Sequence, residues 1–133
     1  MSEGAVHYTL CRQSEHVLKF VEVFEEGSQT YIVTKLARGG DLLTHLYKRS
    51  DPCLSEIEAR RVFVQLVRGV RGMHEKGIVH RDLKHLNIFV SGSTANPKIR
   101  IGDFGLACKL SPKENYSIKK QAGTLGYMAP EII

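Results

Sequence analysis

The chain has 133 residues, 42% hydrophobic and 25% charged, proportions that exclude a disordered, collagenous or disulfide-dense protein and fit one soluble globular domain. No stretch approaches the roughly 20 apolar residues that span a bilayer, and Met1-Ser2-Glu3-Gly4 lacks the basic-then-apolar layout of a secretory signal, so an intracellular, cytoplasmic location is expected. Nineteen Lys and Arg against fourteen Asp and Glu give a net charge of +5, which favours anionic partners without choosing among nucleotides, nucleic acid and acidic peptides.

Val17 to Glu25 and Thr30 to Thr34 are rich in β-branched and aromatic residues, and Glu26-Gly27-Ser28 breaks the run between them. Two antiparallel strands are predicted. Ala37 to Gly40 reads as a flexible link, and Asp41 stands as the N-cap of a short helix carrying Leu42, Leu43 and Leu46 to about Lys48. Ser55 and Glu58 form a capping box ahead of Val62, Phe63, Leu66, Val67, Val70 and Met73, the clearest helical periodicity in the chain. Gly69 and Gly72 interrupt it, which predicts close approach of a neighbour or a weak helix, and Gly77 ends it. Ile78-Val79, Ile88 to Val90 and Ile99 to Ile101 then read as very short strands, with Ser91 to Pro97 as a turn cluster. Beyond Asp103 no periodicity lasts, the mark of a functional irregular segment.

Two of the loops carry chemistry. His80-Arg81-Asp82-Leu83-Lys84-His85-Leu86-Asn87 gathers a carboxylate, an amine and a carboxamide in one loop: Asp82 to accept a proton, Lys84 to neutralise phosphate, Asn87 to hold a metal. Asp103 places a second carboxylate at a strand end, and carboxylates with a carboxamide suit magnesium, which keeps water and phosphate as its other ligands. Zinc is not expected. Cys11, Cys53 and Cys108 lie far apart, and His7, His16, His45, His74 and His85 share no ligand spacing. The scattered basic residues predict no nucleic-acid surface.

On these residues the sequence resembles the eukaryotic protein kinase family. HRDLKHLN at 80–87 is similar to its catalytic loop, Asp103-Phe104-Gly105 to its metal-binding loop and Ala129-Pro130-Glu131 to its APE motif. One such triplet arises by chance at about one in several thousand positions. Here three occur in order, with 21 residues from Asp82 to Asp103 and 28 more to Glu131.

The resemblance implies a truncated two-lobed α+β fold, with the end of the small lobe at about 14–35, a hinge at 35–41 and part of the large lobe at 41–133. It implies a serine/threonine protein kinase, since Lys84 follows Asp82 by two and Thr124 follows Gly123, with ATP and Mg2+ as cofactors and Ser/Thr-bearing proteins as substrates. Asp82 would orient the substrate hydroxyl and accept its proton, Lys84 would contact the transferred phosphate, and Asn87 and Asp103 would ligate magnesium. Thr34 would be the gatekeeper, Leu36 and Ala37 hinge residues, Asp41 the ribose neighbour and Phe89 the apolar residue under adenine. Arg81 would pair with a phosphorylated activation segment, whose hydroxyls are Ser111, Tyr116, Ser117 and Thr124; Ser117 and Thr124 are the regulatory candidates. His80 would pack beside Phe104.

Lys35 and Phe89 depart from the acidic hinge residue and the leucine common in the family. No GxGxxG and no strand lysine occur, and spacing puts the family's helix glutamate at about Ala5, with Glu3 two residues off. The expectation is a middle slice of a kinase domain, similar from about residue 14 onward, that exposes apolar faces of its strands and of the helix at 55–76. A catalytically inactive kinase-like interaction module is the alternative.

Overall fold

The computed structural model describes residues 2–93, 96–111, 118 and 121–133. Its first element is one the sequence does not announce. In α1 (Glu3–Cys11), the Ser2 hydroxyl accepts from the Ala5 amide, and Gly4, Val6, His7 and Leu10 are buried. Those positions share a helix face, but one is glycine and one histidine, so the apolar stripe is faint.

Val17 and Leu18 are buried against Ile101: the Leu18 amide donates to the Ile101 carbonyl and the Ile101 amide to that of His16, both at 2.8 Å. With these backbone groups taken, β1 (Phe20–Glu26) starts later than the strand predicted at Val17. It pairs antiparallel with β2 (Gln29–Thr34) through a two-residue turn where Gly27 has φ +62°, a left-handed conformation that glycine adopts at no steric cost. Val21, Val23, Phe24 and Tyr31 of this ribbon are exposed, as expected.

Helix α2 (Leu42–Tyr47) is capped by Asp41 and α3 (Glu56–His74) by the reciprocal Ser55–Glu58 box, both as the sequence predicts. Gly69 has a packing reason: a Cβ there would lie 2.9 Å from Ile101 Cδ1 and 3.1 Å from His16 Cβ. Glycine lets α3 cross this strand end and outweighs a helix-propensity cost of about 1 kcal/mol relative to alanine. Val62 and Met73 are buried, whereas Phe63 and Val67 on the same helix stand exposed.

After Gly77, at φ +66°, come β3 (Ile78–Val79), β4 (Ile88–Ser93), β5 (Asn96–Ile101) and β6 (Cys108–Lys109). β4 and β5 form an antiparallel hairpin from Ile88↔Ile101 to Ser93↔Asn96, so much of the cluster read as a turn at 91–97 is ladder. β3 pairs with β6, an element too short to leave a periodic signal. The Gln65 carboxamide of α3 donates to the Pro97 carbonyl and accepts from the Ile99 amide, both at 3.0 Å, which occupies the open edge of β5. One apolar cluster joins Val6, Leu10, Val17, Met73, Ile78, Ile101 and Phe104; a second joins Val62, Ile88, Val90 and Ile99. The architecture is α+β, and no described helix is long and apolar enough to cross a membrane.

Candidate active site

Hairpin register brings the two motif loops together. Because Ile88 opposes Ile101, the flanking Asn87 and Gly102 are neighbours, and the Gly102 amide donates to the Asn87 carbonyl at 3.0 Å. Asp103 therefore emerges beside Asn87. Both loops turn sharply there: Arg81 has φ 68° and Asp103 φ 59°, the only described non-glycine residues in the left-handed region. Aspartate tolerates that region better than arginine, and such conformations persist where surrounding contacts fix them.

The contacts around Arg81 are specific. Its Nε donates to the Leu106 carbonyl at 2.6 Å. His80, buried as expected beside Phe104 with ring centroids 5.2 Å apart, bonds the Gly102 carbonyl through Nε2 at 3.0 Å and accepts the Asp82 amide on Nδ1 at 3.3 Å. One nitrogen donating and the other accepting requires the neutral ring. Burial, opposed by the Gly102 carbonyl, holds its pKa below the ordinary value.

Asp82, 8% exposed, is the centre of the cluster. The Thr124 hydroxyl donates to its Oδ1 at 2.5 Å, Lys84 Nζ reaches its Oδ2 at 2.9 Å, and Lys84 also donates to the Thr124 hydroxyl at 2.7 Å. Asn87 Nδ2 donates to the Asp82 carbonyl at 2.9 Å and to Oδ2 at 3.1 Å. Burial raises the Asp82 carboxyl, but the bonds from Thr124, Lys84 and Asn87 and the lysine charge outweigh it and lower its pKa. The result is an ionised carboxylate at neutral pH, with a cation and a hydroxyl fixed beside it. Thr124 is thus tied to this carboxylate, while Ser117, Tyr116 and Lys120 lie outside the described residues.

Asn87 and Asp103 bring a carboxamide and a carboxylate oxygen to neighbouring loops. Asn87 spends Nδ2 on Asp82, and the exposed Asp103 carboxylate accepts only the Gly105 amide, at 3.4 Å, among the described residues. One carboxylate and one carboxamide fit a hard cation that keeps water and phosphate ligands, and no described cluster of three His, Cys, Asp or Glu offers a closed metal cage.

On the far side of the hairpin, the Gly39 amide donates to the Val90 carbonyl at 2.9 Å and the Val90 amide to that of Gly40 at 2.8 Å, while Asp41 bridges Phe89. Segment 35–41 is thereby laid on β4. The Phe89 ring reaches to 2.7 Å of where a Cβ on Gly102 would sit, so any larger residue before Asp103 would have to displace that ring. Thr34 pairs with Phe20, Leu36 is 84% exposed and Ala37 half-buried. The Asp41 carboxylate accepts from the Thr44 amide and hydroxyl at 2.9 and 2.7 Å, which lowers its pKa and commits it to capping α2.

Spacing missed what α1 adds. Helix α1 starts at Glu3, and it is Glu3, in place of Ala5, whose carboxylate approaches Gly105 beside Asp103. Partial burial and then the Asp103 charge raise its pKa. His7 of the same helix packs its ring against Phe104, tilted by 47° with centroids 4.8 Å apart, and bonds the Leu18 carbonyl at 2.5 Å, so Phe104 sits between two buried imidazoles. Sequence reasoning also passed over Tyr127, whose hydroxyl lies 2.6 Å from His85 Nδ1 across 42 residues.

The sequence model of the "Protein kinase domain" family matches residues 1–133, so the similarity extends ahead of residue 14. The chain is 38% identical over 127 residues to "Ribosomal protein S6 kinase alpha-6" of Mus musculus, covering 93% of the chain and 16% of that protein. It is 37% identical over 118 residues to "Serine/threonine-protein kinase H1 homolog" of Danio rerio, covering 89% and 28%. The same identity and length hold for "Phosphorylase b kinase gamma catalytic chain, liver/testis isoform" of Bos taurus, covering 89% and 27%. The chain spans between 16% and 28% of the length of these relatives.

Proposed function

The chain belongs to the protein kinase domain family, and on that premise we propose that it carries the catalytic and metal-binding loops of a serine/threonine kinase that transfers the γ-phosphate of ATP to protein hydroxyls. The observation that carries this reading is the Asp82–Lys84–Thr124 triangle, with edges of 2.5, 2.7 and 2.9 Å. Asp82 accepts the proton of the substrate serine or threonine as its oxygen bonds to the γ-phosphorus; the bond from that phosphorus to the bridging oxygen breaks, and ADP departs. Lys84 offsets the negative charge on the transferred group, and Thr124 keeps Asp82 and Lys84 in register. Magnesium held by Asn87 and Asp103 would neutralise phosphate charge.

Thr34, Leu36, Ala37 and Phe89 would form the adenine site, and Asp41 would lie toward the ribose. The commitment of Asp41 to capping leaves the ribose contact to its outer lone pairs. Arg81, next to Asp82, answers a phosphate on the activation segment, at Ser117 or nearby. The names of two relatives, a serine/threonine-protein kinase and a ribosomal protein S6 kinase, support a protein hydroxyl as acceptor.

The alternative reading is a catalytically inactive interaction module. Titration with ATP, with and without Mg2+, followed by phosphoamino-acid analysis of a phosphorylated protein mixture, separates the two. Mg2+-dependent binding with phosphoserine and phosphothreonine as products supports the kinase. Binding without transfer supports the module, and phosphotyrosine alone overturns the Ser/Thr assignment.

A further inference from the structure

The Thr124 turn is tied to the catalytic loop twice. Thr124 through Tyr127 closes a turn in which the Tyr127 amide donates to the Thr124 carbonyl at 3.0 Å. At its start, Thr124 is bonded to Asp82 and Lys84. At its end, the Tyr127 hydroxyl pairs with His85 Nδ1 at 2.6 Å, and the two rings lie 5.5 Å apart. Between these ties the turn is open: Leu125 is 76% exposed, and a Cβ on Gly126, at φ +89°, would meet no atom of the described residues within 4 Å. Neither His85 nor Tyr127 belongs to an apolar cluster of the core, and Tyr127 is 49% exposed. A buried polar pair stabilises a fold; a half-exposed pair that bridges 42 residues between two loops mainly restricts where one loop stands relative to the other.

We propose that His85 is a positioning residue for the peptide substrate. Resting on the kinase reading above, the proposal is that His85 holds the Tyr127 end of the turn, so that the turn is already ordered beside Asp82 when a peptide arrives. Without the tie, each of the four residues regains backbone freedom that peptide binding must then remove. Nucleotide binding, on the side of the site formed by 34–41 and Phe89, is untouched by this loss.

The test uses the full chain and the variants His85→Ala, Tyr127→Phe and the double substitution, with His85→Gln as the conservative variant. Peptide and ATP KM values are measured with hydrogen exchange at the amides of 124–127. Either single substitution is expected to raise the peptide KM about three- to tenfold, the scale of one hydrogen bond. ATP KM should stay unchanged, the double variant should be no worse than the singles, and His85→Gln should recover part of the loss. Exchange at 124–127 should quicken in each single variant. Unchanged peptide KM, additive effects, or equal changes in both KM values overturn the proposal while leaving the kinase reading standing. Unchanged exchange in His85→Ala overturns it without reference to turnover. Absence of transfer by the unsubstituted protein refutes the kinase reading and this proposal with it.

Discussion

Replacing Thr124 with valine preserves the shape of the side chain and removes the hydroxyl that joins Asp82 to Lys84. Hydrogen bonds to charged groups contribute about 1.5–3 kcal/mol, against about 0.5–1.5 kcal/mol for neutral pairs. Lys84 retains its 2.9 Å contact with Asp82 Oδ2, and Asn87 retains both of its bonds. The carboxylate is therefore weakened and not abandoned, and the expected loss of unfolding free energy is about 1.5–3 kcal/mol at pH 7, set by the one anionic bond. The pH dependence has a definite sign. The folded-state pKa of Asp82 is depressed, so its contribution is fully present above the unfolded value of about 4 and is lost as pH falls through the folded value. The gap between native protein and Thr124→Val should be widest above about pH 4 and close on acidification. Urea unfolding followed by circular dichroism from pH 7 downward measures it, with Thr124→Ser as the variant that restores the hydroxyl. A gap below about 0.5 kcal/mol at pH 7, or one that widens in acid, would show that the Thr124 hydroxyl does not stabilise the Asp82 carboxylate.

Gly69→Ala reverses the usual helix rule: propensity alone predicts a gain of about 1 kcal/mol, but the methyl would crowd Ile101 Cδ1 at 2.9 Å and the His16 backbone, so a net loss of about 1–3 kcal/mol is expected by denaturant unfolding. His7 is buried with a lowered pKa, caused first by burial and opposed by its bond to the Leu18 carbonyl. Its stabilising neutral form is favoured above about pH 6.5 and lost as pH falls through the folded value, so His7→Phe should flatten the decline of melting temperature below pH 6.5. A slope equal to that of the native protein would count against this. Ser55→Ala removes the reciprocal cap of α3 and should cost about 1 kcal/mol in the same unfolding assay; no change would mean that the box is idle.

The long helix and the linear motifs were legible because their signals are local. Ser55 and Glu58 stand three residues apart, and the residues from His80 to Asn87 sit in one loop. Helix α1 was not, since Gly4 and His7 occupy the buried face where a stripe of leucine or valine would have shown the period. β6 was too short to read, and the ladder across 91–97 contains Gly92 and Pro97, which look like turn residues until β4 and β5 are seen paired. At the site, sequence order named Asp82, Lys84, Asn87 and Asp103. The ties of Thr124 to Asp82 and of Tyr127 to His85 join residues 42 positions apart, and no local pattern encodes such a pair. Glu3 was nearly reached by spacing, but only the start of α1 decides that it, in place of Ala5, meets Asp103.

Asp82 is proposed as the proton acceptor of phosphoryl transfer. Its most direct test is the transfer of labelled γ-phosphate from Mg2+-ATP to serine- and threonine-containing peptides by the full-length protein and by its Asp82→Asn variant. Incorporation by the native protein and a fall of about 10²- to 10⁴-fold in the variant, with ATP binding retained, are expected. Transfer at the native rate by Asp82→Asn, or none by the native protein, would contradict that role.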